Sequence, residues 1–283
     1  MQSSVSPLLS VAALQALPSA QYCLVDVRHD LQAPEAGRAA YLAGHIPGAR
    51  FLHLDEDLSG PKTGRNGRHP LPDPDLFVAR LAAQGIATET HVIAYDAQGG
   101  MYAARLWWML RWLGHEAVSV LDGGWQAWLA AGGALQAGPA ADLAPASFQR
   151  RAPLVRTRSV SEVLANLHAA AELVVDARAP DRFRGENETL DAQAGHIPGA
   201  RNRFFKDNLA ADGLFKPPAQ LRSEWLAVLG DYAPEAVIGQ CGSGVTACHN
   251  LLAMEVAGLS GAALYPGSWS EWSSDAARPV ARD

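Results

Sequence analysis

The hexapeptide Gly44-His-Ile-Pro-Gly-Ala49 recurs letter for letter as Gly195-His-Ile-Pro-Gly-Ala200, and this repetition decides the fold. Three more pairs of similar segments keep the same order along the chain: Tyr22-Cys-Leu-Val-Asp-Val-Arg28 with Glu172-Leu-Val-Val-Asp-Ala-Arg178, His91-Val-Ile-Ala-Tyr-Asp96 with Ala236-Val-Ile-Gly-Gln-Cys241, and Leu121-Asp-Gly-Gly-Trp-Gln-Ala-Trp128 with Tyr265-Pro-Gly-Ser-Trp-Ser-Glu-Trp272. Ordered matches of this kind indicate a duplicated domain, and a length of 283 residues suits two domains. We place the N-terminal domain at residues 1–135, a linker rich in Pro and Gly at 136–156, and the C-terminal domain at 157–283.

Each repeat alternates between short apolar runs and helical patterns. Residues 24–27 and 92–95 are typical of buried strands, whereas residues 102–113 carry apolar side chains at helical spacing. The apolar stretch at 11–17 aligns with 160–167 of the second repeat, so we expect a helix of the domain there rather than a signal peptide. The sequence therefore predicts an α/β fold of two similar domains, each a mainly parallel sheet with helices on both faces.

The composition excludes several classes of protein. Acidic residues outnumber basic residues by 29 to 23, and no basic run is present, so binding to nucleic acid or to a membrane surface is not expected. No stretch has the length and apolar character of a membrane span. Three cysteines without zinc-ligand spacing favour a cytoplasmic, reducing location, with no disulfide framework and no metal site.

A cysteine distinguishes the second repeat from the first. The equivalent strands end in Asp96 and in Cys241, and Cys241 is followed by a loop and an apolar helix pattern. Glycines let successive backbone N–H groups point inward, and a helix N-terminus adds its positive end, so this loop would favour the thiolate and hold an anionic group on the sulfur. Cys241 is the predicted nucleophile, whereas Cys23 and Cys248 are predicted to be packing residues. The loop consists of Gly242, Ser243, Gly244, Val245 and Thr246.

With this loop, the doubled hexapeptide and the Asp-Gly-Gly-Trp stretch, the chain resembles the tandem-domain sulfurtransferases of the rhodanese and 3-mercaptopyruvate sulfurtransferase family. The resemblance implies an inactive N-terminal domain, with Asp96 at the cysteine position, and a catalytic C-terminal domain that forms a Cys241 persulfide. Thiosulfate-preferring members resemble one another in carrying basic residues just after the cysteine. Gly242 and Ser243 are instead similar to the mercaptopyruvate branch, so 3-mercaptopyruvate is the expected donor and thiosulfate the alternative.

The resemblance also implies a route for a proton. Loss of sulfur from mercaptopyruvate leaves pyruvate enolate, which needs a proton donor. Ser243 could relay that proton, with His45 of the first domain as its partner and Glu35 or Asp30 orienting the histidine. The same hexapeptide places His196 in the second domain, so a purely structural role for His45 stays open.

Binding of the donor's carboxylate calls for arginine, which can grip a carboxylate with two hydrogen bonds. Arg182 matches the family's substrate-binding arginine, and Tyr102 matches a residue that contacts the substrate. The chain departs from the family at Asp191, where a second arginine is expected. We expect Asp191, if it lies near the site, to repel an anion, and Arg184 could compensate.

The expected reaction needs no cofactor, and its acceptor is cyanide, a small thiol or a reduced protein dithiol. Two readings from other classes remain. A cysteine phosphatase would need an arginine six residues after the cysteine, and position 247 is Ala247, which disfavours that reading. A non-catalytic sulfur carrier, which takes persulfide sulfur from a partner, is compatible with the departure at Asp191.

Overall fold

The computed structural model describes residues 5–141 and 143–282, which form two compact units. The first unit contains the described residues up to 60, the described residues between 72 and 154, and residues 212–214. The second unit contains residues 61–71, 155–211 and the described residues from 215 onward.

Segment 61–71 belongs to the second unit, although the domain boundaries predicted from the sequence include it in the N-terminal domain. The backbone N–H of Arg68 donates to the hydroxyl of Ser270 at 3.0 Å. Gly67 has φ +86° and packs so closely that a Cβ there would lie 2.7 Å from the carbonyl oxygen of Gly267. These contacts hold the segment against residues far away in sequence.

Residues 136–141 and 143–154 lie with the first unit, although the sequence predicted them to be part of a linker. Their backbone is hydrogen-bonded to first-unit elements: Ala146 donates to Ala82 at 2.9 Å, and Arg151 donates to Leu113 at 2.9 Å. An irregular segment without helical or strand periodicity can still be fixed by such bonds, which the composition does not reveal.

The first unit is built on a parallel sheet of order β1-β5-β4-β2-β3. Its strands are β1 (Leu8–Leu9), β2 (Tyr22–Asp26), β3 (Arg50–Phe51), β4 (His91–Tyr95) and β5 (Val118–Leu121). Its helices are α1 (Val11–Ala16), α2 (Ala36–Ala43), α3 (Pro74–Ala83), α4 (Ala103–Trp112) and α5 (Gly124–Ala130). The helices predicted at 11–17 and 102–113 are confirmed as α1 and α4.

The second unit repeats this plan with the order β6-β10-β9-β7-β8, again with parallel pairs. Its strands are β6 (Arg156–Thr157), β7 (Leu173–Asp176), β8 (Arg201–Asn202), β9 (Val237–Gln240) and β10 (Ala263–Leu264). Its helices are α6 (Val160–Ala169), α7 (Pro180–Phe183), α8 (Pro218–Leu229), α9 (Thr246–Val256) and α10 (Ser268–Trp272). Helix α6 begins with a capping box of Ser159 and Glu162, a local signal that fixes where it starts.

Each unit has its own apolar core beside the central strands. In the first unit Leu24, Ile93 and Tyr95 are among the buried residues of one cluster, and in the second unit Val174 and Ile238 belong to the equivalent cluster. In the second unit, the segments after β7, β9 and β10 leave the sheet at one edge because parallel strands share their carboxyl ends. Over the described part of the chain, no helix has the length and apolarity needed to cross a lipid bilayer.

Candidate active site

Cys241 directly follows β9 and is buried in the loop that precedes α9. Its sulfur accepts backbone N–H groups from Ser243 at 3.4 Å and from Gly244 at 3.1 Å. Gly244 has φ +77° and lies against the carbonyl of Pro266, where a Cβ would come within 2.3 Å of the oxygen. The turn therefore requires glycine, and it aims two N–H donors and the start of an 11-residue helix toward the thiol.

The segment after β10 fixes the backbone of this loop. Ser268 accepts the N–H of Cys241 at 3.1 Å and donates its hydroxyl to the carbonyl of Tyr265 at 2.9 Å. The N–H groups of Trp269 and Ser270 donate to the carbonyls of Cys241 and Gly242. Ser268 is fully buried with φ +53°, a strained conformation for a residue with a side chain. The cysteine is thus held from both sides of its peptide unit.

The other two cysteines have different surroundings. Burial raises the pKa of Cys23 to about 11, with Arg50 opposing the rise, so this thiol stays protonated at neutral pH. The sulfur of Cys248, within α9, lies 3.3 Å from the carbonyl oxygen of Gly244, an acceptor for its S–H. The backbone N–H groups of Ser243 and Gly244 point at the sulfur of Cys241 and not at either of these two thiols.

In the first unit a carboxylate stands at the equivalent position. One oxygen of Asp96 accepts N–H groups from Gln98 and Gly100 at 2.8 and 2.9 Å, and the other accepts from Tyr102 and Ala103 at 2.7 and 2.9 Å. Burial raises the pKa of Asp96, and these four donors oppose that rise. The loop of the first unit thus closes around its own aspartate, which replaces the thiol.

The hydroxyl of Ser243 has a partner that the sequence reading did not name. Its oxygen lies 2.7 Å from Nδ1 of His69, and both residues are almost completely buried in the second unit. Within the second unit the partner of Ser243 is thus His69, and the expected role of His45 stays a prediction. Histidine next to a serine hydroxyl can supply or remove a proton through that oxygen.

His45 instead has a structural environment within the first unit. Its Nδ1 lies 2.8 Å from the carbonyl oxygen of Tyr41, and its ring stacks on the Tyr41 ring at 4.0 Å. His196 makes the same two contacts with Phe183, at 2.8 and 3.7 Å. The repetition of these contacts supports the reading of the hexapeptide histidine as part of the fold.

The acids considered as partners of His45 contact other groups. Glu35 pairs with Arg38 at 3.1 Å, and Asp30 accepts the N–H of Gln32 at 2.8 Å. Tyr102 is also buried in the first unit, with its ring 5.4 Å from that of His29. A role of Tyr102 in substrate binding stays a prediction.

Two arginines border the loop. A Cβ placed on Gly242 would lie 2.7 Å from Nη2 of Arg68 and 3.7 Å from Nη1 of Arg182. Arg182 lies in α7, where the sequence predicted a substrate-binding arginine, and its Nη2 donates to Glu188 and Asp191. Arg68 comes from segment 61–71 and was not predicted.

Asp191 is buried between these two guanidinium groups. It pairs with Arg68 and, at 3.0 Å, with Arg182. Burial raises the pKa of Asp191, and the two arginines oppose that rise. Arg184 instead forms an exposed pair with Glu186 at 2.7 Å. The carboxylate of Asp191 is thus paired with two arginines and is not an isolated negative charge that would repel an anion. The arginine beside Gly242 that the sequence did not predict is Arg68, whereas Arg184 is paired elsewhere.

The sequence motifs did not point to Arg68 and His69, because none of the segments matched between the two repeats includes them. They lie in Gly67-Arg-His-Pro70, within the stretch 50–73 between the first hexapeptide and α3, which is longer than the stretch 201–217 between the second hexapeptide and α8. An Arg-His pair among the Gly and Pro residues of this irregular stretch was the available signal.

One group of possible metal ligands occurs among the described residues, formed by His29, His53 and Asp55 of the first unit. Both ring nitrogens of His53 already have backbone partners: Nε2 lies 3.0 Å from the carbonyl oxygen of Pro34, and Nδ1 accepts the N–H of Asp55 at 3.2 Å. A metal ligand needs a free nitrogen lone pair, so this group does not fit a metal ion.

Known proteins resemble both units. The model of the rhodanese-like domain matches residues 10–131 and 159–275. The chain is 44% identical over 281 residues to a Pseudomonas aeruginosa protein named "Probable 3-mercaptopyruvate sulfurtransferase", covering 98% of this chain and 99% of the relative. It is 37% identical over 242 residues to mouse thiosulfate sulfurtransferase, covering 83% and 79%. The solved structure of the 3-mercaptopyruvate sulfurtransferase from Leishmania major superposes with a TM-score of 0.84 at 32% identity, covering 94% of this chain and 74% of that one. The chain therefore belongs to the rhodanese-like domain family and carries two copies of that domain.

Proposed function

We propose that the protein is a sulfurtransferase that takes sulfur from 3-mercaptopyruvate onto Cys241, releases pyruvate, and passes the sulfur to a thiol, a protein dithiol or cyanide. The observation that carries this proposal is the Cys241 loop itself. Two of its N–H groups point at the sulfur, while its own Ser243 is hydrogen-bonded to His69. Relatives named for this activity support the donor class.

In the first half-reaction the Cys241 thiolate attacks the sulfur of the donor. A sulfur–sulfur bond forms, the carbon–sulfur bond breaks, and its electron pair passes to the carbon, giving pyruvate enolate. The enolate carbon takes up a proton to become pyruvate. Ser243, with His69 behind it, is suited to deliver this proton.

The persulfide then rests in the loop. Its outer sulfur carries negative charge once deprotonated, and backbone N–H donors at a helix N-terminus stabilise such a group. In the second half-reaction an acceptor thiolate or cyanide attacks the outer sulfur, the sulfur–sulfur bond breaks, and the Cys241 thiolate is regenerated. This is ping-pong nucleophilic catalysis without a cofactor.

Thiosulfate is the second candidate donor, and one observation favours it. The loop sequence has no basic residue, but Arg68 brings a guanidinium to Gly242 from a distant segment. Thiosulfate is a dianion whose leaving group, sulfite, needs no proton, so a cation beside the loop would assist it. Mouse thiosulfate sulfurtransferase is also a relative.

A steady-state comparison of the two donors, with cyanide as acceptor, separates these candidates. We expect a higher kcat/KM with mercaptopyruvate because Ser243 and His69 serve its enolate. A tenfold preference for thiosulfate, about 1.4 kcal/mol in transition-state free energy, would reverse the assignment. Turnover of neither donor, with uptake of sulfur from a protein persulfide, would indicate a carrier.

We also propose that the protein works in the cytoplasm. Its three cysteines, all among the described residues, are thiols and not disulfides, which fits a reducing compartment. Cell fractionation tests this.

A further inference from the structure

Asp191 occupies an unusual position for an acidic residue next to an anion-binding loop. Its side chain is 2% exposed, and it contacts Arg68 through one oxygen and Arg182 through the other. Two guanidinium groups repel each other when brought together, and a carboxylate between them offsets that repulsion. Asp191 therefore holds two like charges side by side.

Both guanidinium groups retain a side that faces the loop. Arg68 uses Nη1 for Asp191, and its Nη2 is the group that approaches Gly242. Arg182 uses Nη2 for its two acids, and its Nη1 and Nη2 lie 3.7 and 3.9 Å from a Cβ built on Gly242. Its buried Nε has no hydrogen-bond partner among the residues described. An incoming carboxylate thus meets N–H groups that Asp191 does not use.

The side chains of Arg68 and Arg182 are more exposed to solvent than that of the neighbouring Arg178. The side chains of Arg68 and Arg182 are 29% and 20% exposed, so solvent and a small anion can reach them. Arg178 is 1% exposed and is paired with Asp176 at 2.6 Å, so it is closed off. The accessible positive charge beside the loop therefore belongs to Arg68 and Arg182.

We infer that Arg68 and Arg182 together bind the anionic end of the sulfur donor. We infer also that Asp191 is a positioning residue, whose carboxylate holds the two guanidinium groups side by side next to the loop. Arg68, from segment 61–71, thereby supplies the second arginine that position 191 does not. This inference rests on the proposed function, because it names the residues that bind that reaction's donor. A planar carboxylate can accept hydrogen bonds from the paired N–H groups of both guanidinium groups, so the loop itself does not need a basic residue.

The test compares an anionic and a neutral alkylating reagent at Cys241 in the full chain. Iodoacetate carries a carboxylate and iodoacetamide does not, so the ratio of their rates reports anion binding beside the sulfur and does not depend on sulfur transfer. Alkylation is assigned by fragment ions because Cys241 and Cys248 lie on one tryptic peptide, which runs from the residue after Arg222 to Arg282 since Pro279 blocks cleavage after Arg278.

We expect Arg68→Ala to lower the rate of iodoacetate relative to iodoacetamide by about 10-fold, and to raise the KM for mercaptopyruvate by a similar factor with a smaller change in kcat. Arg68→Lys should recover part of both, since it keeps the charge and loses the fork. The matched control is Arg158→Ala, which removes a guanidinium of similar exposure from its pair with Glu172 in the same unit. It should leave the ratio of the two reagent rates and the KM for mercaptopyruvate unchanged.

Asp191→Asn tests the positioning role. We expect a reagent ratio lowered by a few-fold and a raised donor KM, because the two guanidinium groups lose the charge that holds them together. A ratio that rises in Asp191→Asn would overturn the inference, since the carboxylate would then be competing with the donor. An unchanged ratio in Arg68→Ala would also overturn it. Because the reagents need no sulfur donor, either result can be read even if the proposed function fails.

Discussion

The hydroxyl oxygen of Ser243 lies 2.7 Å from Nδ1 of His69, and the N–H of the same serine points at the sulfur of Cys241. Ser243 thus links the nucleophile Cys241 to the imidazole of His69. Serine at this position makes the loop suitable for a donor whose leaving group must be protonated.

The first prediction separates donors by their need for that proton. We expect His69→Gln to lower kcat/KM for mercaptopyruvate by about 100-fold, and to lower the value for thiosulfate much less because sulfite leaves without a proton. Steady-state kinetics with both donors check this. Ser243→Ala should show the same selectivity, and the double variant should be no worse than the single ones.

His45→Gln is the control for this prediction. Because His45 is buried against Tyr41, we expect it to lower the melting temperature and to leave the donor preference unchanged. Loss of mercaptopyruvate turnover in His45→Gln, with His69→Gln active, would restore the sequence-based assignment.

Asp96 provides a prediction about stability. Removal of its carboxylate in Asp96→Ala leaves four backbone N–H groups without their acceptor, so we expect a loss of about 2–4 kcal/mol in the free energy of unfolding. Urea denaturation measures this loss. The folded fraction should keep its kcat, and a large kcat defect would show that the first unit takes part in the chemistry.

Ser268 allows a matched comparison of two substitutions. Both Ser268→Ala and Ser268→Gly remove the hydroxyl that accepts the N–H of Cys241. Only glycine relieves the strain of φ +53°, as Gly124 does at φ +51° in the first unit. We expect Ser268→Gly to be more stable than Ser268→Ala by about 1 kcal/mol in urea denaturation. The reverse order would mean that the backbone is not strained there.

Glu224 gives a pH dependence of stability. Burial opposes its ionisation, but hydrogen bonds from Arg203, Gln220 and Lys216 lower the pKa of Glu224 from 4.5 to about 2. A carboxyl group with a lowered pKa in the folded state contributes stability above pH 4.5, and that contribution is lost as the pH falls toward 2. In urea denaturation, Glu224→Gln should therefore destabilise the protein at pH 7, and the difference from the wild type should shrink toward pH 2. An equal difference at both pH values would contradict this.

The duplicated fold and the Cys241 loop were predictable because their signals are local. Each of these signals can be recognised within a short stretch of sequence: the repeated hexapeptide, the alternating apolar runs, and the glycines between a strand and a helix. The TM-score of 0.84 and the two parallel sheets confirm the fold.

The partners of the loop were not predictable because they come from far along the chain. Arg68 and His69 reach the loop only through the packing of segment 61–71, a contact that no local pattern encodes. The family resemblance pointed instead to His45, whose partner Tyr41 lies four residues away. Asp191 was expected to repel an anion because its neighbour Arg68 was not foreseen.

The central claim is that Cys241 carries the transferred sulfur. Mass spectrometry after incubation with mercaptopyruvate, without an acceptor, tests it most directly, with fragment ions to distinguish Cys241 from Cys248. We predict one added sulfur atom on Cys241, removed by cyanide, still present in Cys23→Ser and Cys248→Ser, and absent from Cys241→Ser. An added sulfur on Cys248 or Cys23, with Cys241 unmodified, would contradict the account.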